Sequence, residues 1–290
     1  MLHRLIALLE MIRWQHTVFA LPMALAAAAL AVEEAPEHSP RWWLGRVALI
    51  VAAAFFARTA AMTHNRLIDR DIDATNPRTA SRPSVTGEVP PGLMLGIVIL
   101  CGLAFIGIAA LLNTLALILS PLVLAILLGY SHAKRFTSLT HVWLGVSLGL
   151  APVGAWIAIL GEISSAPLLL GLSVVAWVAG FDILYAMADI EHDSHENLRS
   201  IPVLLGVGRS MALSALLHAL SVALLITLGI VGQRGPLFAL GVLVGAGLLL
   251  TEHRLIRRDL DHLPHVFLTM NGLFSLAILV GVVLDVWTRA

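Results

Sequence analysis

Nine stretches of this chain are long and apolar enough to cross a bilayer, and nothing else in it restricts the fold as much. A spanning helix needs about 20 mostly apolar residues. Segments near 16–33, 44–68, 92–112, 114–133, 141–161, 166–188, 209–231, 235–252 and 265–287 meet that requirement. The breaks between them carry Pro, Gly or charge, as at Glu33 to Pro40, Asp69 to Pro91, Asn113, and Asp189 to Gly208. Charged residues make up 12% of the chain, against about 25% in soluble domains. The expectation is an all-α integral membrane protein in which residues 1–290 form one domain. Residues 1–15 mix apolar side chains with Arg4, Glu10 and Arg13 and read as an amphipathic interfacial helix. Those charges are too frequent for a cleavable signal peptide. Cys101 is the single cysteine and lies in an apolar run, so no disulfide framework is expected.

Net charge is zero, but the cations are unevenly placed. Of the 18 Lys and Arg, 13 fall in one set of alternate loops and 4 in the other, with Arg58 inside a helix. The positive-inside bias then predicts a cytoplasmic N-terminus and an inner-membrane protein whose two longest loops, after the second and sixth spans, face the cytoplasm.

Both of those loops open on carboxylates. Asn65, Asp69 and Asp73 are spaced four residues apart, which on an α-helix places them on one face. Asp182, Tyr185, Asp189 and Asp193 follow a 3, 4, 4 spacing at the end of the sixth span. Carboxylates this close repel unless a cation lies between them, and oxygen ligands of this kind suit Mg²⁺ shared with substrate phosphates. Asp189 lies 120 residues after Asp69. The chain therefore reads as two pseudo-repeated four-helix units plus one helix, with half-repeats near 16–133 and 141–252. Paired motifs facing one cavity would hold two Mg²⁺ ions through Asn65, Asp69, Asp73, Asp189 and Asp193. Arg58 and Asp182 lie inside apolar runs, where an unpaired charge costs about 2.5–3.5 kcal/mol, so each needs a partner or a wet cavity.

Arg78, Arg82, Lys134, Arg135 and Arg199 flank these motifs. Arginine suits bidentate contact with phosphate oxygens, so this set is the candidate diphosphate clamp. Arg254, Arg257 and Arg258 are far from the motifs in sequence and read as topology signals. The 12 histidines form no HxH or HxxxH pair, so haem or zinc ligation has little support, and His218, His253 and His262 read as isolated residues. His16 and Arg13 enter the first span, where His16 could reach an acceptor substrate. Trp14, Trp42, Trp43 and Trp287 sit near helix ends and fit interfacial anchoring. No GxxxxGK[ST] or GxGxxG stretch is present, so nucleotide-binding loops are not indicated.

With both motifs in view, the chain resembles the UbiA prenyltransferases. Asn65-x₃-Asp69-x₃-Asp73, followed by Pro77-Arg78-Thr79-x₂-Arg82-Pro83, is similar to that family's first aspartate-rich loop. Tyr185-Ala186-Met187-x-Asp189-x₃-Asp193 is similar to its second, and Tyr130-x₃-Lys134-Arg135-Phe136-Thr137 to the segment after its fourth helix. Leu198-Arg199-Ser200-Ile201-Pro202 resembles a stretch where the family often has Lys in place of Arg199. The chain departs from the pattern at Arg66, where many members have Asp, and at His192, where an acidic residue is common. RWQHTVFALP and RTAAMTHNRLIDRDID look most like bacterial quinone-pathway members.

The resemblance implies a Mg²⁺-dependent aromatic polyprenyltransferase of ubiquinone or menaquinone synthesis. Its substrates would be a polyprenyl diphosphate and an aromatic acid of the 4-hydroxybenzoate type or, alternatively, 1,4-dihydroxy-6-naphthoate. Asp69, Asp73, Asp189 and Asp193 would be catalytic. Tyr130 would join the diphosphate clamp, and Arg58, Tyr185, Asp182 and His16 would serve the acceptor. Membrane lipid is the expected surrounding, with no nucleic acid or protein partner. The rival from another class is a cation- or proton-coupled transporter, whose charges belong near the bilayer midplane. Here the acidic clusters sit at one face.

Overall fold

Helix starts and stops follow the breaks in the apolar pattern. The computed structural model describes residues 17–258 and 263–289, and these contain helices and loops with no strand. The long helices are α1 (Thr17–Glu33), α2 (Pro40–Ile68), α3 (Pro91–Leu112), α4 (Thr114–Gly129), α5 (Thr140–Leu160), α6 (Ser165–Ala186), α7 (Ile201–Val231), α8 (Pro236–Arg258) and α9 (Leu263–Arg289). Eight of them supply membrane-length apolar segments, α4 with the help of the 3₁₀ turn Tyr130–Arg135 that extends it. α1 is the short one, with 17 residues spanning about 25 Å. The interfacial helix expected at residues 1–15 lies outside the described residues, as do His16 and His262.

Local chemistry sets the ends. Pro40 opens α2 at a position where a missing N–H costs nothing, and the Ser39 side chain caps it by accepting from the Trp42 N–H. Asn113 separates α3 from α4 in an extended conformation. Its side-chain oxygen accepts from the Ala116 N–H at 2.9 Å, while its amide donates to the Ile157 carbonyl at 2.6 Å and ties the turn to α5.

Small residues decide the packing around α6. A Cβ on Gly145 would come within 2.5 Å of the Val175 carbonyl, and one on Gly149 within 2.7 Å of the Gly171 carbonyl. α5 and α6 thus approach backbone to backbone, the small-residue packing that membrane helices use where lipid supplies no hydrophobic drive. α7 packs on the other side of α6, α1 fits between α5 and α9, α2 pairs with α3, and α8 pairs with α9. Trp156, Trp177, Phe181 and Phe274 fill the centre. Leu44, Leu100, Leu216 and Leu243 point outward, as a lipid-facing surface requires.

Two motifs expected on continuous helical faces are instead bent. α2 stops at Ile68, Asp69 takes φ −91° and ψ 8°, and a six-residue helix, Arg70–Thr75, restarts. α6 stops at Ala186, a 3₁₀ turn covers Met187–Asp189, and Asp189 takes φ −108° and ψ 7° before the six-residue helix Ile190–His195. Both aspartates occupy the sparsely populated bridge region, where the α-helical ladder is interrupted. Asp has poor helix propensity because its short polar side chain competes for backbone groups, which favours a break there. α7 carries a third break, at Gly206 with φ +73°, a conformation that L side chains rarely adopt.

Candidate active site

The bends turn the first motif inward, where each carboxylate finds a cation. Asp69 accepts from the Asn65 amide at 2.7 Å and pairs with Arg135 at 3.1 Å. Burial raises the Asp69 carboxyl above its ordinary value, and Arg135 offsets only part of that rise. Asp73 is buried and accepts from Arg82 through both oxygens, at 2.7 and 2.6 Å. Arg66, also buried, donates to the Asn65 side-chain oxygen at 2.9 Å and stands 3.9 Å from Asp73. The Thr79 hydroxyl donates to the Asp73 carbonyl at 2.8 Å and closes the loop beneath that carboxylate.

The second motif is bound to the first. Arg78 crosses from the loop after α2 to clamp Asp189 through Nε at 3.2 Å and Nη2 at 2.6 Å, while its Nη1 donates to the Tyr185 hydroxyl at 2.9 Å. Lys134, from the turn after α4, approaches Asp193 at 3.3 Å. Asp193 is 2% exposed, so an uncompensated charge there would carry a large desolvation cost. Asp69, Asp73, Asp189 and Asp193 therefore lie in one layer of loops, each facing a basic side chain from either the loop after α2 or the turn after α4.

Beneath this layer is an apolar cavity of about 270 Å³ among α1 to α5. Arg58, Asn65, Ser120, Tyr130 and Ser147 contribute the polar part of its wall, and alanines of α2 and leucines of α4 and α5 much of the rest. The fold thus brings together Asn65, the four aspartates, Arg78, Arg82, Lys134, Arg135, Tyr130 and Tyr185, and puts Arg58 in the cavity wall. Arg199 is engaged elsewhere, donating to the Phe136 carbonyl at 2.8 Å. Asp182 is held by His141, whose Nδ1 lies 2.7 Å from its carboxylate. The other ring nitrogen of His141 accepts from the Ile201 N–H at 3.3 Å, so that Nδ1 carries the proton. Sequence reasoning passed over Arg66, Thr79 and His141 as site residues. Arg66 stands inside the motif and could have been found as a charge next to Asn65, but His141 is 41 residues from Asp182 and no spacing signals it.

The donor set, one amide and four carboxylates, is entirely hard oxygen. Among the described residues no three His, Cys, Asp or Glu side chains converge as a ready-made cage. Mg²⁺ is commonly held by one or two carboxylates together with substrate phosphates, so the paired motifs fit a cation that is completed by a diphosphate.

The family model for the UbiA prenyltransferase family matches residues 20–281. A 4-hydroxybenzoate octaprenyltransferase of Chromohalobacter salexigens is 32% identical over 268 residues, covering 91% of this chain and 86% of that protein. The apo structure of a UbiA homolog from Aeropyrum pernix K1 superimposes with a TM-score of 0.83 at 36% identity, covering 93% of this chain and 98% of the other. A UbiA homolog from Archaeoglobus fulgidus bound to GPP and Mg²⁺ shares the fold at a TM-score of 0.74 and 22% identity, over 97% and 99% of the two chains. By its helical architecture, its paired aspartate motifs and a family match over nearly its whole length, this chain belongs to the UbiA prenyltransferase family.

Proposed function

We propose that this protein transfers a polyprenyl group from polyprenyl diphosphate to the ring of 4-hydroxybenzoate. The observation that carries the reading is the layer of four aspartates and their cations directly above an apolar cavity with Arg58 in its wall. Curated relatives named 4-hydroxybenzoate octaprenyltransferase favour this acceptor over the naphthoate, and family membership removes the transporter reading.

Asn65, Asp69, Asp73, Asp189 and Asp193 would hold Mg²⁺, two ions in our reading, which when bound adds positive charge against the diphosphate. Arg78, Arg82, Lys134 and Arg135 exchange their carboxylate partners for diphosphate oxygens, so the leaving group is met by donors already in place. The C–O bond breaks with its electron pair going to the diphosphate, and an allylic cation remains in the cavity. The alanine and leucine walls keep water from that cation. Arg58 holds the acceptor carboxylate so that the ring carbon beside the phenol attacks the cation, after which that carbon loses its proton. Tyr130 and Tyr185 position the diphosphate and the acceptor.

The matching backbone at Asp69 and Asp189, each followed by a six-residue helix, supports the reading of two half-repeats, near 16–133 and 141–252. The distribution of Lys and Arg supports a location in the inner membrane with the site facing the cytoplasm. Purified protein should transfer a radiolabelled prenyl group to 4-hydroxybenzoate, and a chelator, Asp69→Ala or Asp189→Ala should each abolish transfer. Undiminished turnover in both variants would remove the carboxylates from the mechanism.

A further inference from the structure

A second cavity, of about 440 Å³, opens between α7 and α8, helices that meet along a shorter seam than α6 and α7 do. It is separate in lining from the cavity among α1 to α5. Its walls are apolar and small-residue-rich, with Ala215, Ala219, Val222 and Ala246 among them. His218, His253, Arg254 and Arg257 provide its polar end. That end lies on the same face of the bundle as the aspartate layer, because Ile256 packs with Leu184 and Met187 at the foot of α6.

Two buried polar atoms here lack a hydrogen-bond partner, Glu252 Oε2 and His253 Nδ1, and of these two residues His253 lines the cleft. His218 Nε2 lies 3.2 Å from the Trp177 carbonyl, which can only accept, so this nitrogen carries the proton. In the neutral ring His218 Nδ1 is then an acceptor, and the contact of 3.0 Å to His253 Nε2 makes His253 the donor. His253 Nδ1 is left as a bare lone pair, and it is buried with no hydrogen-bond partner. Beside it, Glu252 accepts from the Asn271 amide at 2.6 Å, and Asn271 accepts from the Trp177 indole at 2.7 Å. The histidines are thus set in a buried polar network and are not the isolated residues that their sequence positions suggested. Arg254 and Arg257 are exposed and enter no ion pair among the described residues. An occupant that fits must bring an alkyl chain, an anionic group for two arginines and a hydroxyl to donate to His253.

We propose that this cleft is a binding site for an anionic phospholipid with a hydroxylated head group, of the phosphatidylglycerol class. One acyl chain lies along the apolar wall, the phosphate sits between Arg254 and Arg257, and a head-group hydroxyl donates to His253 Nδ1. Basic pockets between membrane helices are established sites for anionic lipid head groups. Arginine pairs well with phosphate oxygens, and a lipid hydroxyl removes the cost of a buried unpaired acceptor.

The test is native mass spectrometry of the full-length protein after exchange with defined lipids. Wild type should retain one phosphatidylglycerol per chain, with at least about ten-fold less phosphatidylcholine, and less phosphatidic acid, which lacks the glycerol head group and its alcohol hydroxyls. Arg254→Gln with Arg257→Gln should lower phosphatidylglycerol retention about ten-fold. Ala219→Trp, which fills the cleft from an exposed position, should do the same without touching any charge. Equal retention of phosphatidylglycerol and phosphatidylcholine by wild type, or unchanged retention in both variants, would overturn the site. Equal retention of phosphatidic acid and phosphatidylglycerol would overturn the role given to His253.

Discussion

Arg78 carries three contacts that no other cation in the site combines: two oxygens of Asp189 and the Tyr185 hydroxyl. Its planar fork fixes the loop after α2 against the foot of α6, which a lysine ammonium cannot reproduce. Arg78→Lys should therefore lower kcat about 10²-fold with little change in thermal stability, the scale of losing one preorganised donor against developing charge. A variant with wild-type kcat would place Arg78 outside the reaction. Arg58 makes a different prediction. Arg58→Ala should raise the KM for 4-hydroxybenzoate by about 10–100-fold, the value of a charge-assisted hydrogen bond, and leave the KM for the polyprenyl diphosphate unchanged. Steady-state kinetics with each substrate varied in turn distinguishes the two. At this scale the aspartates were legible because their four-residue spacing is unusual in an apolar chain. Their partners were not, since Arg78 and Asp189 stand 111 residues apart and only the fold joins them.

The helices α5 and α6 owe their close approach to Gly145, Gly149 and Gly171, and this approach sets Asp182 of α6 against His141 of α5. Gly145→Val would drive a side chain into the Val175 carbonyl and should cost about 1–3 kcal/mol, read as a lower midpoint of thermal unfolding. Gly96→Ala is the control: a Cβ at that position would meet nothing within 4 Å, so helix propensity alone should make it neutral or slightly stabilising. Equal effects from both would mean that the helix contact does not limit stability. The spans themselves were readable from apolar run length, and all nine recur as helices in the described residues. The bends at Asp69 and Asp189 were not readable, because an i, i+4 pattern looks the same whether the helix continues or stops at the first aspartate. The pairing of His218 with His253 was hidden for a related reason: each belongs to its own helix, and only their packing makes them one network.

Across the whole molecule, charge balance explains how a membrane enzyme can gather four largely buried carboxylates at one face and still fold before its substrate arrives. Each aspartate of the layer has a basic neighbour within 3.3 Å, so no metal is required to offset their repulsion. In this the site differs from a structural metal centre, whose binding energy is folding energy. Chelator-treated protein should consequently keep its helical circular dichroism and most of its thermal stability while losing all transfer activity. Mg²⁺ alone should move the unfolding midpoint little, because it would have to displace cations already in place. Mg²⁺ with a non-hydrolysable prenyl diphosphate analogue should raise it by several degrees, since a ligand at 100 times its Kd adds about 2.7 kcal/mol to the folded state. Asp189→Asn should lose most of that gain, because it removes charge from the motif that Arg78 joins to the first one. Collapse of the fold on chelation would show instead that the ion pairs do not suffice and that metal is part of the architecture.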